Sequence, residues 1–155
     1  MYKDLEVKKS KIPNAGKGLY VKRDVKKGER VVEYLGEIIT DKECGKRAEK
    51  DQYGYVFHVS KQKCIDAHHT PEALARYAND AKGLVKIKGI NNNAYYEVWQ
   101  NRGWITAEKN IKAGSEIFVS YGAEYWRDIR YNIRLDEERK KEAGKKKEKA
   151  EKSKK

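Results

Sequence analysis

The chain has 155 residues, of which 39% are charged and 38% hydrophobic, and a net charge of +12, enough apolar side chain for one domain with a small core. No apolar run approaches the ~20 residues of a membrane-spanning helix. Two cysteines, Cys44 and Cys64, with no CxxC pair exclude a cysteine-only structural zinc site and a disulfide framework.

Ten Lys/Arg against six Asp/Glu between Asp136 and Lys155 give that tail +4, and residues 1 to 135 carry the other +8. A basic surface favours acidic partners such as nucleic acid, chromatin or an acidic protein face, and serves plain solubility equally well. Two unpaired cysteines are expected as reduced thiols of an intracellular protein. The opening MYKDLEVKKSKIPNAGKG has no apolar h-region, so no secretory signal is expected.

In chain order, residues 5 to 12 read as a basic lead-in and edge strand, and KIPNAGKGLYVKRD as strand, glycine loop, strand. ERVVEYLGEII, 29 to 39, predicts one strand region. TDKECGKRAEKD, 40 to 51, predicts a helix capped by Thr40 or Asp41. YGYVFHV and KCIDA predict strands about a turn near Ser60 to Gln62. Thr70 followed by Pro71 predicts a short helix in TPEALARYA. AYYEVWQ and WITAEKN predict a hairpin across Asn101, Arg102 and Gly103, and residues 127 to 155 a helix fraying into a lysine-rich tail. RDVKKGERVVEY (23 to 34) and KNIKAGSEIFVSY (109 to 121) share one scheme, in which Gly28 and Gly114 are turn residues needing positive φ. With little helix in total, the fold class is mainly β.

Four stretches bear on chemistry. In NAGKGLY, Gly16 and Gly18 around Lys17 let a backbone approach a ligand or simply make a hairpin turn; the third glycine and helix of a dinucleotide site and the GK[ST] of a P-loop are missing. In ARYAND, Arg76 can attract a carboxylate, Tyr77 can pack on a flat ring and Asn79 can satisfy an amide edge, or the trio can be an ordinary helix end. Tyr53, Tyr55 and Phe57 share one strand face, as a core stripe also does. In SEIFVSYG, Ile117, Val119 and Tyr121 alternate onto one face, so Tyr121 by itself reads as a packing residue. His58 lies on the strand face opposite Tyr55 and Phe57, and His68 and His69 are adjacent. With no third ligand at sensible spacing, no metal site is expected.

Taken in order, GxG, YLGE, YVF, CIDA, ARYAND, NNNA and KAGSEIFVSYG resemble a SET domain, the S-adenosylmethionine-dependent protein-lysine methyltransferases, from about Val7 to Trp126. The ending SYGAEYW looks like compact viral-type SET domains without zinc-binding flanking segments. The resemblance implies several short sheets wrapped about a knot-like crossing, with Asn79 against the strand from Ile117 to Tyr121, and a helical, Lys-rich C-terminal tail. It divides the chain into a catalytic domain, 1 to 126, and a tail, 127 to 155. It implies cofactor contacts from Gly16, Lys17, Gly18, Arg76, Tyr77, Asn79 and Asp80, with Tyr121 and Tyr55 as catalytic residues. Tyr53, Phe57, Tyr125 and Trp126 are implied to line the substrate-lysine channel. Asp80 stands where the family has the histidine of NHSC, and Asn92-Asn93 where it has PN.

The implied chemistry is methyl transfer to a neutral lysine amine. Free lysine has a pKa of ~10.4; an apolar channel and a nearby sulfonium both disfavour its charged form, so no strong base is required. The implied substrate is a histone tail or another basic protein, with Glu33, Glu37, Asp66 and Glu97 as candidates for an acidic groove and the basic tail as a possible chromatin or nucleic-acid contact. The implied location is the nucleus or chromatin. The alternative is a catalytically impaired SET-like chromatin or nucleic-acid binding module.

Overall fold

The computed structural model describes residues 2–50, 54–83 and 85–154. By its contacts the chain divides into Met1–Ser120 and Tyr121–Lys155. The first unit is mainly β. Strand β1 (Leu5–Lys9) pairs antiparallel with β2 (Lys17–Val21). A second sheet has the order β3 (Arg30–Glu33), β8 (Arg102–Ala107), β7 (Ala94–Trp99), and a third the order β4 (Glu37–Ile39), β6 (Cys64–Asp66), β5 (Val56–His58). The core between these sheets includes Leu19, Val21, Val25, Val32, Ile105, Ile117 and Val119, each at most 2% exposed.

The expected strand over 29 to 39 is two strands. It breaks at Gly36, where a Cβ would lie 2.5 Å from the backbone oxygen of Asp66. This close approach lets β4 leave the β3 sheet and pair with β6. Helix α1 (Asp41–Glu49) follows, capped as the sequence predicts: the Glu43 N–H donates to Thr40 Oγ1 at 3.2 Å. No helix starts at Thr70. The segment makes three-residue turns, Ala73 N to Thr70 O at 3.0 Å and Arg76 N to Ala73 O at 3.3 Å, and only Leu74–Tyr77 closes into a 3-10 helix. Ala73 is extended, with ψ near 104°, and carries no side-chain cap. The β7–β8 hairpin forms, but its turn is Gln100–Asn101, both at positive φ, the two-residue geometry that matches the twist of paired strands. Gly103 instead lies within β8, where a Cβ would meet the Phe57 ring at 2.8 Å.

The two similar segments pair with each other as an approximate local two-fold. Val25 and Ile111 exchange both backbone hydrogen bonds, each at 2.8 Å. Asn110 Oδ1 accepts from the Lys27 N–H and Asp24 Oδ1 from the Ala113 N–H, both at 2.9 Å. Gly28 N–H donates to Ala107 at 2.8 Å and Gly114 N–H to Val21 at 2.7 Å. Gly28 and Gly114 have φ of 85° and 88°, the left-handed turn that glycine adopts without steric cost. Each turn thus feeds a strand into the other's neighbourhood: Arg30–Glu33 runs beside β8, and Ser115–Val119 beside β2 through Val21 N to Ser115 O at 3.0 Å and Ile117 N to Leu19 O at 2.7 Å.

The second unit is one helix, α2 (Ala123–Ser153), entered through Gly122 at φ 91°. The lysine-rich stretch expected to fray stays helical to Ser153. No helix among the described residues is long and apolar enough to cross a membrane.

Gly36→Ala is expected to destabilise the protein by about 1–3 kcal/mol, because the new methyl meets fixed backbone. Gly45→Ala, in α1 where an added Cβ meets nothing within 4 Å, is expected to gain up to ~1 kcal/mol. Urea melts of the two variants measure the contrast.

Candidate active site

The region around the glycine loop is organised by a residue the sequence reading passed over. Glu116 is 2% exposed. Its Oε1 accepts the Ser10 hydroxyl at 2.6 Å and its Oε2 the Lys11 N–H at 2.8 Å, while the Tyr20 hydroxyl, 2.7 Å from the Lys9 carbonyl, also lies 3.1 Å from Oε2. Asn79 Nδ2 lies 3.5 Å from Oε1 and donates more directly to the Lys17 carbonyl, at 2.9 Å. A buried carboxylate is tolerated when several donors reach it. Burial, reinforced by the Glu116 charge, pushes the Tyr20 phenol up to about 12. A clue lay in the strand alternation: Glu116 shares a face with Phe118, 5% exposed, while Ile117 and Val119 are buried on the other, so both faces are interior.

The two loop glycines have different reasons. At Gly18 a Cβ would fall 2.2 Å from Glu116 Oε1, so glycine there makes room for the carboxylate. At Gly16, φ is +72° and a Cβ would meet nothing within 4 Å, so this is the glycine that keeps open space beside the loop. Gly16 also accepts the Ser10 N–H at 2.8 Å, which pins the loop to the end of β1.

The segment after the 3-10 helix crosses the last strand of this unit. Asn79 bridges Phe118 in parallel, and the Val119 N–H donates to the Asn79 carbonyl at 2.9 Å. Asn93 grips the same strand from its other edge: its Oδ1 accepts the Phe118 N–H at 2.9 Å and its Nδ2 donates to the Glu116 carbonyl at 2.9 Å. Asn79 and the Ile117–Val119 strand therefore meet as the sequence analysis expects. Asp80, 6% exposed, accepts the Lys82 N–H at 2.8 Å and Asn92 Nδ2 at 3.0 Å, and Asn92 Oδ1 accepts the Ala81 N–H at 2.8 Å. Asp80 and Asn92, two of the positions that depart from the family pattern, thus bond to each other.

Arg76 is more occupied than its sequence suggests. Its Nη1 donates to the Ala67 and His68 carbonyls at 2.9 and 3.2 Å, and its guanidinium lies 4.1 Å from the centre of the Tyr55 ring. That contact holds Tyr55 by cation–π attraction, and the Tyr55 carbonyl takes the Tyr34 hydroxyl at 2.9 Å. Tyr77 donates its hydroxyl to Pro71 O at 2.6 Å, with Lys17 Nζ 6.0 Å from its ring centre. Phe57 is 8% exposed, between Tyr34 at 5.3 Å and Tyr96 at 5.4 Å. Tyr53 lies outside the described residues.

In the second unit Tyr121, Tyr125 and Trp126 form an aromatic group at the start of α2. Tyr121 stacks on Trp126 at 5.8 Å and 17° and meets Tyr125 edge-on at 5.1 Å.

The four carboxylates expected to make an acidic groove are each tied to an arginine. Glu33 pairs with Arg102, and Glu97 with Arg30 at 3.1 Å. Glu37 and Asp66 share Arg47, at 2.8 and 2.7 Å. Arg47 holds the Glu37 carboxyl below the usual carboxylate range. Glu33 and Glu97 are each matched by one arginine, whereas Glu37 and Asp66, with Glu43 at 3.2 Å, share the single charge of Arg47.

Residues 16–122 match the SET domain family, and the chain belongs to that family. Over 127 residues it is 34% identical to the histone-lysine N-methyltransferase EZH2 of Chaetomium thermophilum, covering 74% of this chain and 8% of that protein. It is 28% identical over 140 residues to the histone-lysine N-methyltransferase ASHH3 of Arabidopsis thaliana, covering 79% of this chain and 36% of that protein. Among solved structures it is similar to a humanized mutant of the Chaetomium thermophilum Polycomb Repressive Complex 2 bound to the inhibitor GSK126, with TM-score 0.59 and 32% identity over 76% of this chain and 15% of that one. The chain therefore spans a small part of these relatives' length.

Glu116→Ala is expected to destabilise the protein by about 2–3 kcal/mol, because the buried Ser10 hydroxyl and the part-buried Lys11 N–H lose a charged acceptor, and Glu116→Gln by less, measured in urea. The raised Tyr20 value means the fold favours the neutral phenol. That contribution is complete below the unfolded value of about 10 and is lost as pH rises through about 12. Alkaline unfolding of Tyr20→Phe is expected to lack this component.

Proposed function

We propose that the chain is an S-adenosylmethionine-dependent protein-lysine N-methyltransferase acting on a histone tail or a similar basic protein. The observation that carries this is the crossing of the Asn79 segment with the Ile117–Val119 strand beside the Gly16–Gly18 loop, within a chain of the SET family. The residues fit the cofactor. Gly16 leaves open space, and Arg76 Nε is a buried donor without a hydrogen-bond partner among the described residues. Gly16, Lys17, Gly18, Arg76, Tyr77, Asn79 and Asp80 would hold it. Bound there, it supplies an electrophilic methyl on a positively charged sulfur.

The chain's own residues would then do the following. Asn79, tied to the Lys17 carbonyl, fixes the loop that receives the cofactor. Tyr55, held under the Arg76 guanidinium, would line the entry for the lysine side chain, the role that the family resemblance also gives to Phe57. Tyr121 orients the amine through its hydroxyl. The aromatic surroundings favour the neutral amine, so the lysine proton leaves to water before transfer, and most of the acceleration is alignment. The same reading places the protein in the nucleus or on chromatin, with the basic tail available to chromatin or nucleic acid.

Incubation with labelled methyl donor and mixed histones is expected to label histone, and tight nucleic-acid binding without label would favour the non-catalytic module. Tyr121→Phe is expected to lower turnover about tenfold or more with cofactor affinity little changed, and Asn79→Ala to weaken cofactor binding by calorimetry. Because the net charge is +12 and Glu33 and Glu97 are each matched by an arginine, kcat/KM for a histone-tail peptide is expected to hold or rise between about 50 and about 300 mM salt. A steep fall would mean that an acidic groove draws the peptide, with the carboxylates around Arg47 as the first candidate.

A further inference from the structure

Sequence spacing offers no third metal ligand beside the two cysteines, but the fold supplies one. Cys44 lies in α1, His58 ends β5, and Cys64 opens β6, where it is the direct cross-strand partner of both His58 and Ile39. Cys64 Sγ is 3.2 Å from His58 Nδ1, and Cys44 Sγ is 3.8 Å from His58 Nε2. One donor atom from each residue lies within 4.8 Å of the other two.

These distances can be set against a zinc centre. Zinc–sulfur bonds of about 2.3 Å and zinc–nitrogen bonds of about 2.0 Å imply ligand atoms roughly 3.5–3.8 Å apart in a tetrahedron. The cluster is within about 1 Å of that spacing. The imidazole faces each sulfur with a different nitrogen, so presenting one nitrogen to a shared ion takes a turn of the ring about its Cβ–Cγ bond. His58 is exposed, so the turn disturbs no core packing.

Burial favours the same assignment. Cys44 is 3% exposed and Cys64 0%, packed with Ile39. Two thiolates around a divalent cation make a neutral unit, which a buried site accepts more readily than a lone thiolate. The donor set holds two soft sulfurs and an imidazole and no oxygen, a preference for zinc over magnesium or calcium. Packing alone explains two buried cysteines, but not an imidazole lying against both sulfurs.

We infer that Cys44, His58 and Cys64 form a zinc-binding site, three protein ligands with water as the fourth, that clips α1 to the β4–β6–β5 sheet. Binding displaces two thiol protons to solvent and water from the ion, with no change of oxidation state. Strand β5 starts one residue after Tyr55, so the clip stiffens the strand that directly follows this tyrosine. The inference does not depend on the methyltransferase reading.

Cobalt(II) titration of the metal-free full chain, in a phosphine reductant, tests it. The expected result is one equivalent bound, with a thiolate-to-cobalt charge-transfer band, the intense visible bands of a tetrahedral site, about two protons released per ion, and loss of the bands on adding zinc. Cys44→Ser is expected to abolish the charge-transfer band. His58→Ala, at an exposed position with circular dichroism unchanged, is expected to weaken binding at least about tenfold; it keeps the test decisive if the cysteine variant fails to fold. Only weak octahedral bands, or tetrahedral bands that appear with unchanged affinity in His58→Ala, would overturn the assignment.

Discussion

The Glu116 carboxylate sits where four parts of the chain converge. It takes the Ser10 hydroxyl and Lys11 amide from the end of β1, and lies beside the Tyr20 hydroxyl of β2 and the edge of the Asn79 amide. An interior carboxylate must be satisfied by charge-assisted hydrogen bonds or it destabilises the fold. Satisfying this one fixes the distance between the glycine loop and the last strand of the first unit, and it forbids a side chain at Gly18. The candidate cofactor surface is in this sense the outer face of a polar core.

A second constraint is the pairing of the two turn-and-strand units. Asp24 and Asn110 each accept an amide from the other unit's turn, and Val25 and Ile111 form the bridge between them. The strand from each unit is then delivered into a different sheet. A pair of weakly similar segments, too few for a repeat architecture, produces a crossed arrangement. Asn93 and Asn79 then hold the 116–119 strand from two edges, so its backbone has partners on both sides.

Much of this was legible in the sequence because the cues are local. Thr40 caps α1, Gly28 and Gly114 mark left-handed turns, and the ordered short motifs point to one family. What was not legible depends on distant backbone. Nothing near Gly36 says that Asp66 will press against it, so one strand was expected where there are two. The Thr70–Pro71 signal for a helix loses to burial of Ala73, Ala75 and Ala78, which holds the chain in separate turns. Glu33, Glu37, Asp66 and Glu97 looked available to a basic substrate because their arginine partners come from other elements. Arg76 looked like a carboxylate receptor because its stacking on Tyr55 is a tertiary contact.

The position of Glu116 near the end of the first unit also bears on how the molecule comes into being. Its bond to Ser10 spans 106 residues and its contact with Tyr20 spans 96. A chain emerging from the ribosome has its β1–β2 hairpin exposed long before the carboxylate that completes it. Contacts of such separation make folding slow, because most of the closure entropy is lost before the final bonds form. Until residue 116 arrives, the Ser10 hydroxyl and Lys11 N–H keep water as their partner, while the Tyr20 hydroxyl can already reach the Lys9 carbonyl, and the early hairpin stays open to pairing with the wrong strand edge.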